Sequence, residues 1–238
     1  MKINWNVIKL LSILLLAGFL FGFANQRNAS RFLKDIEVNF VRGEQPLMTV
    51  EAVNKLLIQN NDTITSIPKE ALVLKEMEER LNNHPMVQNA HVFMTIGGEI
   101  GAEIEQRIPI GRVVNSTSFY IDEKGEKMPL SSVHSVRVPL VVVQPNTDFS
   151  ELVPILTAIQ EDEFMKSMVV GLRMQSNGEV VLKLRKHDFE VQFGKIEGIA
   201  KKIQNFKAFL KKAKKDKTLS AYRSVNLAFG SQVVATKK

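Results

Sequence analysis

Hydrophobic and polar positions divide the chain into one long apolar run followed by a series of short periodic segments. Residues 7–24, VIKLLSILLLAGFLFGFA, are apolar apart from Lys9 and Ser12. About 18 residues at about 1.5 Å rise make a helix of about 27 Å, close to a hydrocarbon core of about 30 Å. Trp5 suits the interface, and Lys2 and Lys9 are long enough to snorkel to headgroups. The run predicts a transmembrane anchor over 7–24 after a cytoplasmic tail over 1–6. A cleaved signal peptide ending at Gly22-Phe23-Ala24 is the alternative, with phenylalanines where small residues belong. A buried core helix would keep a polar face, and this run has none. Arg27, Arg31 and Lys34 follow the run while Lys2 and Lys9 precede or enter it, so flanking charge does not fix the orientation. Export of the C-terminal part is expected from the signal-anchor layout of a short tail before a large domain.

A polar, basic linker over 25–35 leads into Ile36-Glu37-Val38-Asn39-Phe40, whose strict alternation predicts a half-buried strand. Thr49 is a good N-cap for a helix carrying Val53, Leu56 and Leu57 on one face. Pro68 can open a second helix, with Leu74, Met77 and Leu81 inside and Glu76, Glu78, Glu79 and Arg80 outside. Pro85 ends it. A strand with Val92 and Met94 on one face, a turn over 97–101 and a returning strand over 102–106 complete a β-α-α-β-β order.

Beyond it, residues 119–130 read as a hairpin turning at 123–125, and 137–142 as a strand. Asp148 or Ser150 caps a helix bearing Leu152, Ile155, Leu156 and Ile159, with Pro154 tolerable only in its first turn. Two strands around Ser176-Asn177-Gly178 form a hairpin. The chain then continues through a strand over 189–193, an amphipathic helix carrying Ile196, Ile199, Ile203, Phe206, Leu210 and Ala213, and a last strand region over 222–235.

Several of these segments carry a resemblance. His84-Pro85-Met86-Val87-Gln88-Asn89-Ala90 looks like the POTRA signature of a helix ending in proline, then a valine, then an alanine before the central strand. Gln106-Arg107-Ile108-Pro109 resembles the "E-R-x-P" segment closing the POTRA domain of the FtsQ/DivIB cell-division family. The family's "Y-x-x-D-x-x-G" hairpin is similar to the stretch from Phe119-Tyr120 through Asp122 to Gly125, and its "L-P-x-L" segment to Val138-Pro139-Leu140-Val141. The terminal "D-L-R-Y-x-x-G-x-x-V" resembles Asn226-Leu227-Ala228-Phe229 continued by Gly230-Ser231-Gln232-Val233-Val234-Ala235, with Asn226, Ala228 and Phe229 as departures.

The resemblance implies an α+β architecture: an N-terminal transmembrane helix, a POTRA domain over 36–110, and over 111–238 a mainly antiparallel β domain with packed helices and a C-terminal partner-binding strand. It implies a non-enzymatic divisome scaffold of the cell inner membrane, enriched at the division septum. Its partners would be small bitopic proteins of the FtsB and FtsL kind, bound partly by strand addition at the C-terminal sheet edge. The contacts carried over are Tyr222, Val225, Leu227, Phe229 and Val233. A POTRA-containing protein of outer-membrane transport or assembly is the alternative, and an exported enzyme a more distant one.

Composition narrows the chemistry. Among 238 residues there is no cysteine, which removes disulfides, thiol catalysis and cysteine-ligated zinc. His84, His91, His134 and His187 have no metal-ligand spacing and no neighbouring nucleophile. The segment 97–101 lacks the Lys-Ser/Thr of a phosphate loop. Glu161, Asp162, Glu163 and the glutamates at 76, 78 and 79 read as solvated helix charge. No catalytic residue, metal, cofactor or small-molecule substrate is expected. The formal charge is +7, much of it in the lysines of 195–217. Few aromatics interleave with them, so nucleic acid is not expected; they read as a solvated helix face, or as contact with an anionic membrane or acidic partner.

Overall fold

The computed structural model describes residues 5–29, 35–42, 45–58, 74–95, 99–115, 117–230 and 232–238; side chains are described for Trp5 and 9–24 of the first segment and for 35–41 of the second. The expected helix start at Pro68 and the turn at 97–98 lie outside the described residues. Two units are present: Met1–Glu44 with Met48–Gln106, and Gln45–Leu47 with Arg107–Lys238.

The first unit begins with helix α1, Trp5–Ala29. All its described side chains are exposed, including Leu15 at 75% and Phe21 at 76%. Among the described residues, no helix is long and apolar enough to cross a membrane; consecutive described side chains in α1 run only over 9–24. Then come β1 (Ile36–Arg42), α2 (Val50–Leu57), α3 (Leu74–Asn82), β2 (Val87–Met94) and β3 (Ile100–Gln106), the expected β-α-α-β-β order. The strands form one sheet in the order β1-β3-β2, with β1 parallel and β2 antiparallel to β3. Thr49 caps α2 by accepting the Ala52 N–H at 3.0 Å. Val53 and Leu57 of α2 and Met77 and Leu81 of α3 are buried, as are Ala90, Val92, Ile100 and Ile104 of the sheet. Arg80 of α3 donates to the carbonyls of Leu56 (3.3 Å) and Leu57 (3.2 Å), satisfying the open end of α2.

The second unit is a nine-stranded sheet. Its strands are β4 (Pro109–Val113), β5 (Phe119–Asp122), β6 (Lys127–Met128), β7 (Leu140–Val142), β8 (Val169–Met174), β9 (Val180–Leu184), β10 (Glu190–Gly194), β11 (Tyr222–Asn226) and β12 (Val234–Lys237). They lie in the order β12-β11-β10-β9-β8-β7-β4-β5-β6. The β10–β11, β4–β7 and β7–β8 pairs are parallel and the other five antiparallel, so the sheet is mixed but mainly antiparallel. Helices α4 (Val153–Glu161), α5 (Glu163–Met168) and α6 (Ile199–Lys215) pack on it. Ile155, Leu156, Ile159, Phe206 and Leu210 meet Val141, Leu172, Leu182, Val191 and Val225 in one core. Of the two expected caps before α4, Asp148 is the one used: it accepts the Ser150 N–H at 2.9 Å and opens a 3-10 turn over Phe149–Leu152. Pro154 stands in the first turn of α4.

Four readings change. Pro109 and Ile110 do not close the first unit; they begin β4, paired to β5 and followed in the sheet by β7. The strand expected over 137–142 is short because Pro139 has no N–H, and its carbonyl accepts from Arg112 N at 2.9 Å just before β7. The α6 helix starts at Ile199, after Gly198 in a left-handed conformation, leaving Ile196 outside it. The last strand region is a hairpin of two strands, β11 and β12, broken at Leu227–Val233.

The residues that carry the family resemblance in the middle of the chain form one lock. The Arg107 guanidinium donates from Nε to Asp122 Oδ2 at 2.7 Å and also pairs with Glu126. Asp122 Oδ1 accepts the N–H groups of Lys124 (3.0 Å) and Glu126 (2.7 Å), shaping the β5–β6 turn. Gly125 in that turn has φ +80°, and a Cβ there would stand 2.9 Å from the Ser150 backbone. The Asp122 side chain is only 4% exposed, so its charge rests on Arg107 and the two amides.

Asp122→Asn keeps the turn acceptor but leaves Arg107 without its buried counter-charge. It is expected to lower the stability of the second unit by about 3 kcal/mol, read by urea denaturation of the full chain under far-UV circular dichroism. An unshifted midpoint would mean that Arg107's remaining partners, Glu126 among them, suffice.

Candidate protein-binding edge

A β-sheet edge presents unpaired N–H and C=O groups, and each edge strand here treats them differently. The β2 edge is closed by side chains of α3. Asn82 accepts the Ala90 N–H at 2.8 Å and donates to the Ala90 carbonyl at 3.4 Å; Glu78 Oε2 accepts the Val92 N–H at 2.9 Å and pairs with His91 Nδ1 at 3.1 Å. The Val92 N–H, and with it His91, holds the Glu78 carboxyl below the ordinary glutamate range despite some burial. Glu78 is thus more than a solvated charge. The β6 edge is blunted by length, at two residues. The β1 edge is longer and carries the polar side chains of Glu37 and Asn39.

The β12 edge is different. Val234 and Thr236 are exposed while Ala235 packs against the core, and no described side chain hydrogen-bonds to the β12 backbone. β12 is held from behind by β11 in register: Tyr222 opposite Lys237, Ser224 opposite Thr236, Val225 opposite Ala235, Asn226 opposite Val234. The connecting loop is pinned at both levels. Leu227 N donates to Gln192 O at 2.8 Å, and Ala228 N to Asn226 Oδ1 at 2.8 Å. Ala228 lies against Gly194, where φ is +74° and a Cβ would stand 2.9 Å from that of Ala228. Lys202 holds the β10–α6 connection that follows Gly194. Its Nζ donates to the Lys195 carbonyl at 2.8 Å and sits 4.9 Å from the Phe193 ring centre. Burial pushes its pKa down, with Glu197 and Glu179 opposing.

The five residues carried over from the resemblance separate here. Val225 and Leu227 are fully buried core residues, at 0% and 1% exposure, so their side chains support the hairpin. Tyr222 is half-buried, its ring edge-on to Phe209 at 5.3 Å. Val233 packs partly into the core. Phe229 is 50% exposed at the head of the loop. Val234 and Thr236, which face out on β12, were not singled out in the sequence; the alternation from Val233 to Thr236 after Gly230 is the signal that marks them.

Catalytic constellations are a poor fit. A groove of about 670 Å³ is lined by Arg137, Gln160, Glu163, Lys166 and Arg185 among others, with Glu163 its single carboxylate; acid–base hydrolysis of a glycan calls for two. Asp162, beside it, caps α5 by accepting the Met165 N–H at 3.0 Å and pairs with Lys207. Burial pushes its pKa up, but Lys207 and the amides outweigh this and hold it low. Among the described residues no cluster of His, Asp or Glu could hold a metal ion.

A family model described as FtsQ/DivIB, C-terminal related, matches residues 108–236, more than half of the chain. No curated protein matches it. The matched region covers β4 to β11 and all of β12 but its last residue, Lys237.

The closed edge gives a pH test. Because the folded Glu78 pKa is depressed, the clamp is complete above the ordinary glutamate range and is lost as pH falls through the lower folded value. Hydrogen-exchange protection at the Val92 amide is expected to fall over that window and to be low at neutral pH in Glu78→Ala, with β3 amides unchanged. Equal Val92 protection in both proteins would show the clamp to be dispensable.

Proposed function

Because the chain belongs to the FtsQ/DivIB, C-terminal related family, we propose that it is a non-catalytic scaffold of the cell-division machinery that binds small bitopic division proteins of the FtsB and FtsL kind by strand addition at β12. The observation that carries this is the contrast between edges. β2 is clamped by Asn82 and Glu78, whereas β12, inside the matched region but for Lys237, is open and flanked by the exposed Phe229. Added main-chain hydrogen bonds would supply affinity, and the outward positions of β12 with Phe229 would supply selectivity.

The same reading takes residues 7–24 as a single inner-membrane anchor. The run is apolar apart from Lys9 and Ser12, and its described side chains in α1 are all exposed. Burying them in lipid removes an exposed apolar surface that water disfavours. The first unit is read as a POTRA domain over 36–106, supported by its β-α-α-β-β order, that helps place the protein at the septum. Residues 107–238 are the β domain. No nucleic acid or small-molecule substrate enters the mechanism.

Depletion in the host is expected to give filaments with segregated nucleoids, with a tagged copy in a mid-cell band. Phe229→Lys is expected to leave protein level and fold intact, because the ring is half in solvent, while co-purification of the bitopic partner drops about tenfold or more. Normal division on depletion would remove the divisome reading. Undiminished co-purification would move the contact away from the head of β12.

A further inference from the structure

The lysines of α6 fall into two groups. Towards the start of the helix two of three have structural work: Lys202 is buried on the Lys195 carbonyl and Lys207 pairs with Asp162, while Lys201 is exposed. At the other end Lys211, Lys212, Lys214, Lys215 and Lys217 are all exposed, with Asp216 the one acidic residue in that stretch. No carboxylate among the described residues lies within ion-pair distance of any of the five. A helix C-terminus favours cations, but only in its last turn. Lys211 and Lys215 stand at i and i+4, Lys211 and Lys214 at i and i+3, as do Lys212 and Lys215, and like charges at those spacings repel. The cluster therefore exceeds what the helix dipole can use.

It also adjoins the open edge. After α6 the chain passes through Leu219–Ala221 directly into β11. Tyr222 lies opposite Lys237 at the end of β12, and Lys238 N donates to Ala221 O at 2.8 Å. Lys237 and Lys238 are exposed too, so the positive surface begins where the edge strand ends.

We propose that this corner, between the C-terminal end of α6 and the C-terminal end of β12, docks an acidic peptide segment continuous with the strand that adds to β12. The inference rests on the strand-addition reading for its geometry and on the unneutralised lysines for its chemistry. In an antiparallel addition the residues preceding the partner's strand lie beside Lys237 and Lys238, so the acidic flank is N-terminal to that strand. Continuity with the edge favours a peptide over a lipid surface.

The full chain in uncharged detergent is titrated with labelled peptides: an alternating Thr/Val strand preceded by glutamates, the same strand preceded by serines, and oligoglutamate alone. Glutamates are expected to tighten binding about tenfold, the sum of several exposed pairs. Added salt, and the variant Lys211→Gln/Lys212→Gln/Lys214→Gln/Lys215→Gln, should each erase that preference. Equal binding of the serine and glutamate peptides overturns the acidic docking while leaving strand addition standing. Oligoglutamate that binds the wild type but not the variant, with no strand contribution, keeps the docking and removes strand addition. If no acidic peptide binds, the proposal fails; phosphatidylglycerol vesicles retained by the wild type and lost by the variant would then assign the corner to lipid.

Discussion

Every backbone N–H and C=O in this fold has to find a partner, and the sheet edges are where that requirement is hardest to meet. Interior strands satisfy each other by register. At the margins the solutions diverge: side chains of α3 substitute for a missing strand beside β2, shortness limits the damage at β6, and β12 is left to solvent or to another chain. Protection of this kind requires a helix placed so that its polar residues reach the strand. Asn82 and Glu78 do so because they lie one turn apart on α3. Among the described residues no side chain caps the β12 backbone in this way: α6 buries Ile203, Phe206 and Leu210 in the core, and its Asn205 reaches the Gly230 carbonyl before the strand.

Much of the fold was legible in the sequence because alternation and caps are local signals. The β-α-α-β-β order, the Thr49 cap, the hairpin turning at Ser176-Asn177-Gly178 and the apolar stripe of α6 all arise from residues close in the chain. What was not legible depends on distant partners. Pro109-Ile110 looks like the end of a domain until β5 and β7 are seen on either side of the strand it begins. Tyr222 to Ala235 reads as one strand because the sequence between β11 and β12 has enough apolar residues to continue the pattern. The same reading put Val225 and Leu227, which are buried, among the expected contacts. In an interior strand Val225 must be core, and the exposed alternation belongs to the following strand.

Charge shows the same division between local and tertiary information. Composition gives a lysine-rich helix, and periodicity places most lysines on its outer face. Neither shows that Lys202 turns inward, because nothing nearby in sequence reveals the Lys195 carbonyl and Phe193 ring that accept it. The Arg107–Asp122 pair is likewise invisible as a pair, though each member stands in a recognisable motif. Motif residues in this chain therefore act first as architecture. Arg107, Asp122 and Gly125 fix a turn, and Leu227 seats the loop that carries Phe229.

An open edge of four residues is a small surface, and by itself it would hold a partner weakly. Anchoring changes the arithmetic without any new contact. Two chains confined to one membrane meet at an effective concentration set by their linkers, so a short strand addition becomes sufficient when both ends are tethered. Copies of an anchored chain would share that plane as well, so an open edge also needs a guard against self-pairing. On the proposed reading, Lys237 at the end of the strand supplies one: its charge would discourage a second, equally basic copy from pairing there and would favour a chain that brings carboxylates.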